Sequence, residues 1–85
     1  MQRKAFASLV IDGRICGPRQ ECEVVIDPVE NGGISIRPDR TLVFPSDRGG
    51  MGWVKFFDHS GNYLSATCVG HITRGHHVRL DQLGK

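Results

Sequence analysis

Cys22-Glu23-Val24-Val25-Ile26-Asp27-Pro28-Val29-Glu30-Asn31-Gly32-Gly33-Ile34-Ser35-Ile36-Arg37 reads as a strand, a tight polar corner and a second strand. Cys22, Val24 and Ile26 share one side of the first strand, and Ile34 and Ile36 share one side of the second. That period of two is what a half-buried strand requires. In the corner, Pro28 removes a backbone donor, and Asn31-Gly32-Gly33 supplies positions where a positive φ costs little. Asp27 is thereby placed at the mouth of a β-corner beside exposed backbone amides. Such an edge suits a small polar ligand, and the same letters also serve an ordinary hairpin turn.

Outward from this hairpin the chain keeps the same rhythm. Residues 4–11 form a first strand ended by the turn signal Asp12-Gly13. Residues 13–19, with two glycines and a proline, read as a loop or an edge. Pro38-Asp39-Arg40 interrupts the chain before a short strand, Thr41–Phe44, rich in β-branched and aromatic residues. Pro45 to Gly52 holds three glycines in eight residues and reads as a loop that is mobile or closely approached. Trp53–Asp58 is the most aromatic segment. A turn at 59–62 leads into Tyr63–Val69, with Leu64, Ala66 and Cys68 expected on the buried side. After a turn at 70–75, Val78 and Leu80 point inward and His77 and Arg79 outward. The tail from Asp81 is too short for a helix of its own. Six or seven short strands with turn signals every 8–12 residues predict a single all-β domain spanning 1–85, a small antiparallel barrel. Closing the sheet removes edges that would otherwise be exposed.

Composition sets the bounds. A chain of 85 residues buries only about 60–65% of its unfolded surface, so the core is small. The hydrophobic fraction of 39% and charged fraction of 24% suit a globular protein rather than a disordered one. A formal net charge of +2 permits contact with phosphates but is no dedicated nucleic-acid footprint. No apolar run approaches a membrane span, the first residues show no cleavage-type pattern, and no membrane partner is expected. Three cysteines, an odd count, argue against a disulfide framework and for a reducing compartment, with the cytoplasm as the expected location.

Residue type and spacing bear on several chemistries. Cys68-x2-His71, His76-His77, Cys16 and Cys22 are zinc-type ligands, but a structural site needs two tight pairs and only one exists. The cysteines are expected as small apolar fillers. No nucleophile elbow or other catalytic frame is present, so no enzymatic activity, metal or cofactor is expected. Gly52-Trp53-Val54-Lys55-Phe56-Phe57-Asp58, with Gly61 beyond, interleaves aromatic rings with a lysine, the chemistry that stacks bases along a phosphate track. It resembles the opening strand of cold-shock domains, although here it lies mid-chain. Trp53, Lys55, Phe56 and Phe57 are the candidates for single-stranded nucleic-acid contact, and a stacking platform requires at least two of those rings on the surface.

The corner carries a second resemblance. Asp27-Pro28-Val29-Glu30-Asn31-Gly32 is similar to the D-x-S-x-x-G motif of PilZ domains. Gly52-Trp53-Val54-Lys55-Phe56 with Gly61 to Val69 resembles a hairpin of that family, and Gly75-His76-His77-Val78-Arg79-Leu80 its closing strand. The resemblance implies a β-barrel that binds cyclic di-GMP, gripped by two arginines and read by the corner. Asp27 and Gly32 match, Arg3 stands near one arginine position, and Val29 occupies the serine position, where it makes no hydrogen bond. The pattern is that of a degenerate bacterial PilZ-like member, implying a signalling role and contact with another protein. Arg3, Asp27, Asn31 and Gly32 are the expected residual ligand edge. Met51 and Trp53, in a loop at 49–53, and Lys55 beyond it are the expected partner or nucleic-acid contacts. A small regulatory protein from a mobile element has the same composition.

Overall fold

Alternation along residues 4–11 puts Ala5, Ala7, Leu9 and Ile11 on one side of the chain, each with no exposed surface. The computed structural model, which describes residues 2–81 apart from the side chain of Ile34, shows this segment at the centre of the fold. Seven strands are present: β1 (Gln2–Ile11), β2 (Arg14–Pro28), β3 (Ile34–Pro38), β4 (Leu42–Pro45), β5 (Gly50–Asp58), β6 (Tyr63–Ile72) and β7 (His77–Leu80). They form an antiparallel sheet in the order β3-β2-β1-β5-β6 and a two-stranded ladder of β4 with β7. Val24, Val54 and Phe56 from the large sheet meet Leu42, Phe44 and Val78 from the small one in a single core. The result is the expected all-β, nearly closed barrel. The tail expectation for residues 82–85 lies outside the described residues.

The hairpin that decides the fold pairs as its letters imply. Val24 faces Pro38 and Ile26 faces Ile36 across β2 and β3, with Cys22 and Val24 buried and Ile26 and Ile36 packed against the core. At the other end of β2, Asp12 (φ 49°) and Gly13 (φ 81°) both take left-handed conformations. Such a two-residue turn matches the twist of its flanking strands.

Four expectations need correction. Residues 14–19 are an edge stretch of strand rather than a loop: β2 begins at Arg14 and pairs with β1 as far as Val25, except for a bulge, while β3 covers only Val24–Pro28 on its other side. Ala7 faces Gln20 and Leu9 faces Cys16, so Gly17, Pro18 and Arg19 together oppose Ser8. The missing N–H of Pro18 falls where the ladder asks for no donor. The segment from Gly50 to Gly52 is strand as well, so Met51 and Trp53 belong to β5 rather than to a loop. Glycine there marks close approach: a Cβ on Gly52 would run into the Ile72 side chain. The strands are also not uniformly short, because β1, β2, β5 and β6 run for 10, 15, 9 and 10 residues.

The fourth correction concerns β6. Ala66 faces Lys55 and Cys68 faces Trp53, whereas Ser65 and Thr67 face the buried Phe56 and Val54. Directly opposed residues share a sheet face, so Ala66 and Cys68 lie on the outer side, and Cys68 is exposed. Two register shifts, at Gly52/Trp53 and at Phe56/Phe57, break the period that the letters suggest. Leu64 and Val69 still pack on the core. In β7 the expected alternation stands, with Val78 buried and His77 and Arg79 exposed.

Val24→Ala is expected to cost about 1–3 kcal/mol, from lost burial and the cavity left behind. Cys68→Ser, on the outer face, should change stability by less than about 0.5 kcal/mol. Urea unfolding checks both, and a neutral Val24→Ala would mean that the register of β2 is wrong.

Candidate functional site

The residues of the expected ligand edge do not converge on one point. Asp27 sits on β2 opposite Ser35, and its carboxylate pairs with Arg37 of β3 at 3.2 Å. Arg3 lies on β1 opposite Val24, yet its guanidinium reaches Asp58 of β5 at 3.7 Å. Each charge is answered within the sheet by a neighbouring strand. Both pairs are part-exposed and so contribute little to stability. Asn31 (φ 67°) and Gly32 (φ 76°) form the corner as a short 3₁₀ turn, Glu30–Gly32. Gly33 is extended rather than left-handed, and the Val29 amide donates to its carbonyl at 3.0 Å to close the corner.

The outer face of the large sheet assembles what the letters kept apart. Cross-strand pairing aligns Ile15 of β2, Val10 of β1, Trp53 of β5 and Cys68 of β6 in one row. Ser8, Lys55 and Ala66 make the next row, and Phe6, Phe57 and Tyr63 the one after. A row of two small side chains and a lysine thus separates two apolar ridges. Ile15, Trp53, Met51 and Tyr63 are exposed at 65%, 41%, 46% and 59%. Val10 is only 4% exposed, yet it stands apart from the core cluster. Its cover must come from its row neighbours on the outer side. Phe56 alone of the candidate stacking residues turns inward.

The lower ridge is held by specific contacts. His59 stacks on Phe6 with ring centroids 4.7 Å apart and an interplanar angle of 22°. The Arg19 guanidinium lies over the Phe6 ring, 4.0 Å from its centroid, the geometry of a cation–π contact. Phe57 and Tyr63 meet edge to face at 6.1 Å. His59 is presented by the turn after β5, which Asp58 organises by accepting from the amides of Ser60 at 2.9 Å and Asn62 at 2.8 Å. The Asn62 amide, above all, holds the Asp58 carboxyl below the usual aspartate range, with a smaller contribution from Arg3.

Elsewhere, the Cys16 thiol donates to Asp47 at 3.0 Å and pulls that carboxyl below its ordinary value, helped by Arg48. Burial pushes the Cys22 thiol up. Among the described residues no three His, Cys, Asp or Glu side chains are grouped so as to hold a metal ion. No described helix is long and apolar enough to cross a membrane.

Phe6, Ile15, Arg19, His59 and Tyr63 are face residues that sequence reasoning did not select. The alternation in β1 already separates Phe6 from Ala5 and Ala7. Ile15 and Tyr63 join it only through strand pairing, Arg19 through the bulge in β2 and His59 through the turn after β5. Comparison with family models, curated proteins and solved structures finds no match for the chain.

Gly32→Ala should destabilise the fold by roughly 1 kcal/mol, because φ at that position is positive although space for a methyl group is open. An unchanged melting midpoint would count against the corner as described. Because the folded Asp58 carboxyl titrates below its unfolded value, its contribution is complete above the ordinary aspartate range. It declines as the pH falls through that range to the lower folded value. Amide shifts of Ser60 and Asn62 followed by NMR during acidification should report a midpoint below that of an unfolded peptide.

Proposed function

We propose that the protein is a non-enzymatic binding module that docks another protein on the outer face of its large sheet. The observation that carries this reading is the row Ile15–Val10–Trp53, flanked by Met51 and bordered by Arg19 and Lys55. Trp, Tyr, Met and Arg are the residue types enriched at interface centres, and exposed rings that already screen a buried neighbour lose little entropy on binding. The PilZ resemblance is compatible with such a role. Asp27 and Arg3 spend their charge on Arg37 and Asp58, which supports a degenerate member with weak or no affinity for cyclic di-GMP. The proposed setting is the bacterial cytoplasm, in keeping with three free thiols.

A second reading has its own observation. Trp53, Phe57 and Tyr63 all lie on the outer face with Lys55 among them, which meets the requirement for a single-stranded nucleic-acid platform. The carboxylate of Glu21, which faces Phe6 on the same side and lies 3.8 Å from His59, weighs against it.

Calorimetric titration separates the readings. Wild-type protein is expected to give no heat with cyclic di-GMP and none with a short single-stranded oligonucleotide at low salt. Affinity capture should then recover a protein partner that is lost with Trp53→Ala and Ile15→Asp but kept with Val43→Asp, an exposed position away from the face. Micromolar cyclic di-GMP binding would instead restore the ligand edge. Oligonucleotide binding that weakens steeply with salt would promote the second reading.

A further inference from the structure

We propose that the notch between β6 and β7 is a docking slot for an extended acidic peptide segment, which adds as a strand to the free edges there. The two strands are consecutive in the chain, but among the described residues no ladder joins them: β6 is an edge of the large sheet and β7 pairs with β4 alone. They diverge from the turn after Ile72 and leave a cleft of about 230 Å³ between them. Both strands therefore present unpaired main-chain donors and acceptors to the same gap, the usual template for strand addition.

The apex of the notch is rigid. Ser46 is buried, and its hydroxyl donates its one proton to the His76 carbonyl oxygen at 2.5 Å, with the Thr73 carbonyl oxygen 3.3 Å away. The Ser46 amide donates to His76, and the Gly75 amide donates back to Ser46. This clamp fixes the angle at which β7 leaves β6, so the slot exists before any ligand arrives.

The lining selects the occupant. Ile72 and Val78 supply an apolar floor, while His71, His76, His77 and Arg79 stand on the walls. Among the described residues no carboxylate lines the cleft; Asp81, just beyond β7, is bound to Arg79 at 2.8 Å. A strand whose alternate side chains are carboxylates would put acids against this wall and apolar residues on the floor. The slot adjoins the Ile15–Val10–Trp53 row at Met51, which faces His71 across β5 and β6, and Trp53→Ala separates the failure of one proposal from the failure of the other.

The test is an NMR titration of the full chain with a synthetic peptide of about nine residues alternating Glu with Val, long enough to cover the four-residue β7 and its flanks. Amide shifts should concentrate at 68–72 and 77–80, and Trp53→Ala should leave them in place. Replacing the glutamates by glutamines, or introducing Arg79→Glu at that exposed position, should weaken binding about fivefold or more. Replacing the central valine by proline, which keeps the charge but breaks the ladder, should abolish it. Shifts mapping elsewhere, no binding, or equal binding by the glutamine or proline peptide would each overturn the proposal.

Discussion

Everything in this barrel hangs on the hydrogen-bonded ladder of β1. The strand is paired along both edges, with β2 on one side and β5 on the other. Its inner face is small and aliphatic, and Ala5 and Ala7 let Phe44 and Phe56 fill the space beneath. Its outer face is also largely withdrawn from water, since Ser8 and Val10 are 5% and 4% exposed. A strand with both edges bonded and both faces covered has no freedom to slip. A one-residue slip would exchange Leu9 and Ile11 for Ser8 and Val10 in the core.

From that constraint follows the layout of the candidate site. Because β1 and β5 are in fixed register, Val10 and Trp53, Ser8 and Lys55, and Phe6 and Phe57 are forced into rows. The bulge in β2 then carries Arg19 out to where it meets the Phe6 ring. The turn built around Asp58 folds His59 back onto the same ring. The outer face is therefore a consequence of strand register, and its apolar ridges cannot be removed without disturbing what covers Val10.

The edges are managed unequally. Between β2 and β4, side chains bridge the opening, with Gln20 donating to the Val43 carbonyl at 2.6 Å and Arg40 to the Glu21 carbonyl at 2.7 Å. Between β6 and β7, among the described residues, hydrogen bonds close the gap at its apex alone, through Ser46. Side chains that reach across an opening occupy main-chain acceptors and so discourage strand addition. That asymmetry is why one seam is closed and the other is proposed as a slot.

The sequence by itself determined the all-β class, the corner at Asn31-Gly32, the inward positions of Val24 and Val78 and the outward ones of His77 and Arg79. These rest on local alternation and local turn chemistry, which neighbouring residues set on their own. Only the tertiary structure decided that Arg14–Pro28 is one continuous strand, that Cys68 faces outward, and that Arg3 and Asp27 take separate partners. Bulges and ion pairs depend on which distant strand lies alongside, and each one-residue shift in β6 reverses the alternation beyond it. Trp53 and Tyr63 were visible as aromatic letters. That they share a face with Phe6, Ile15 and Arg19 is a property of cross-strand register, which no local pattern encodes.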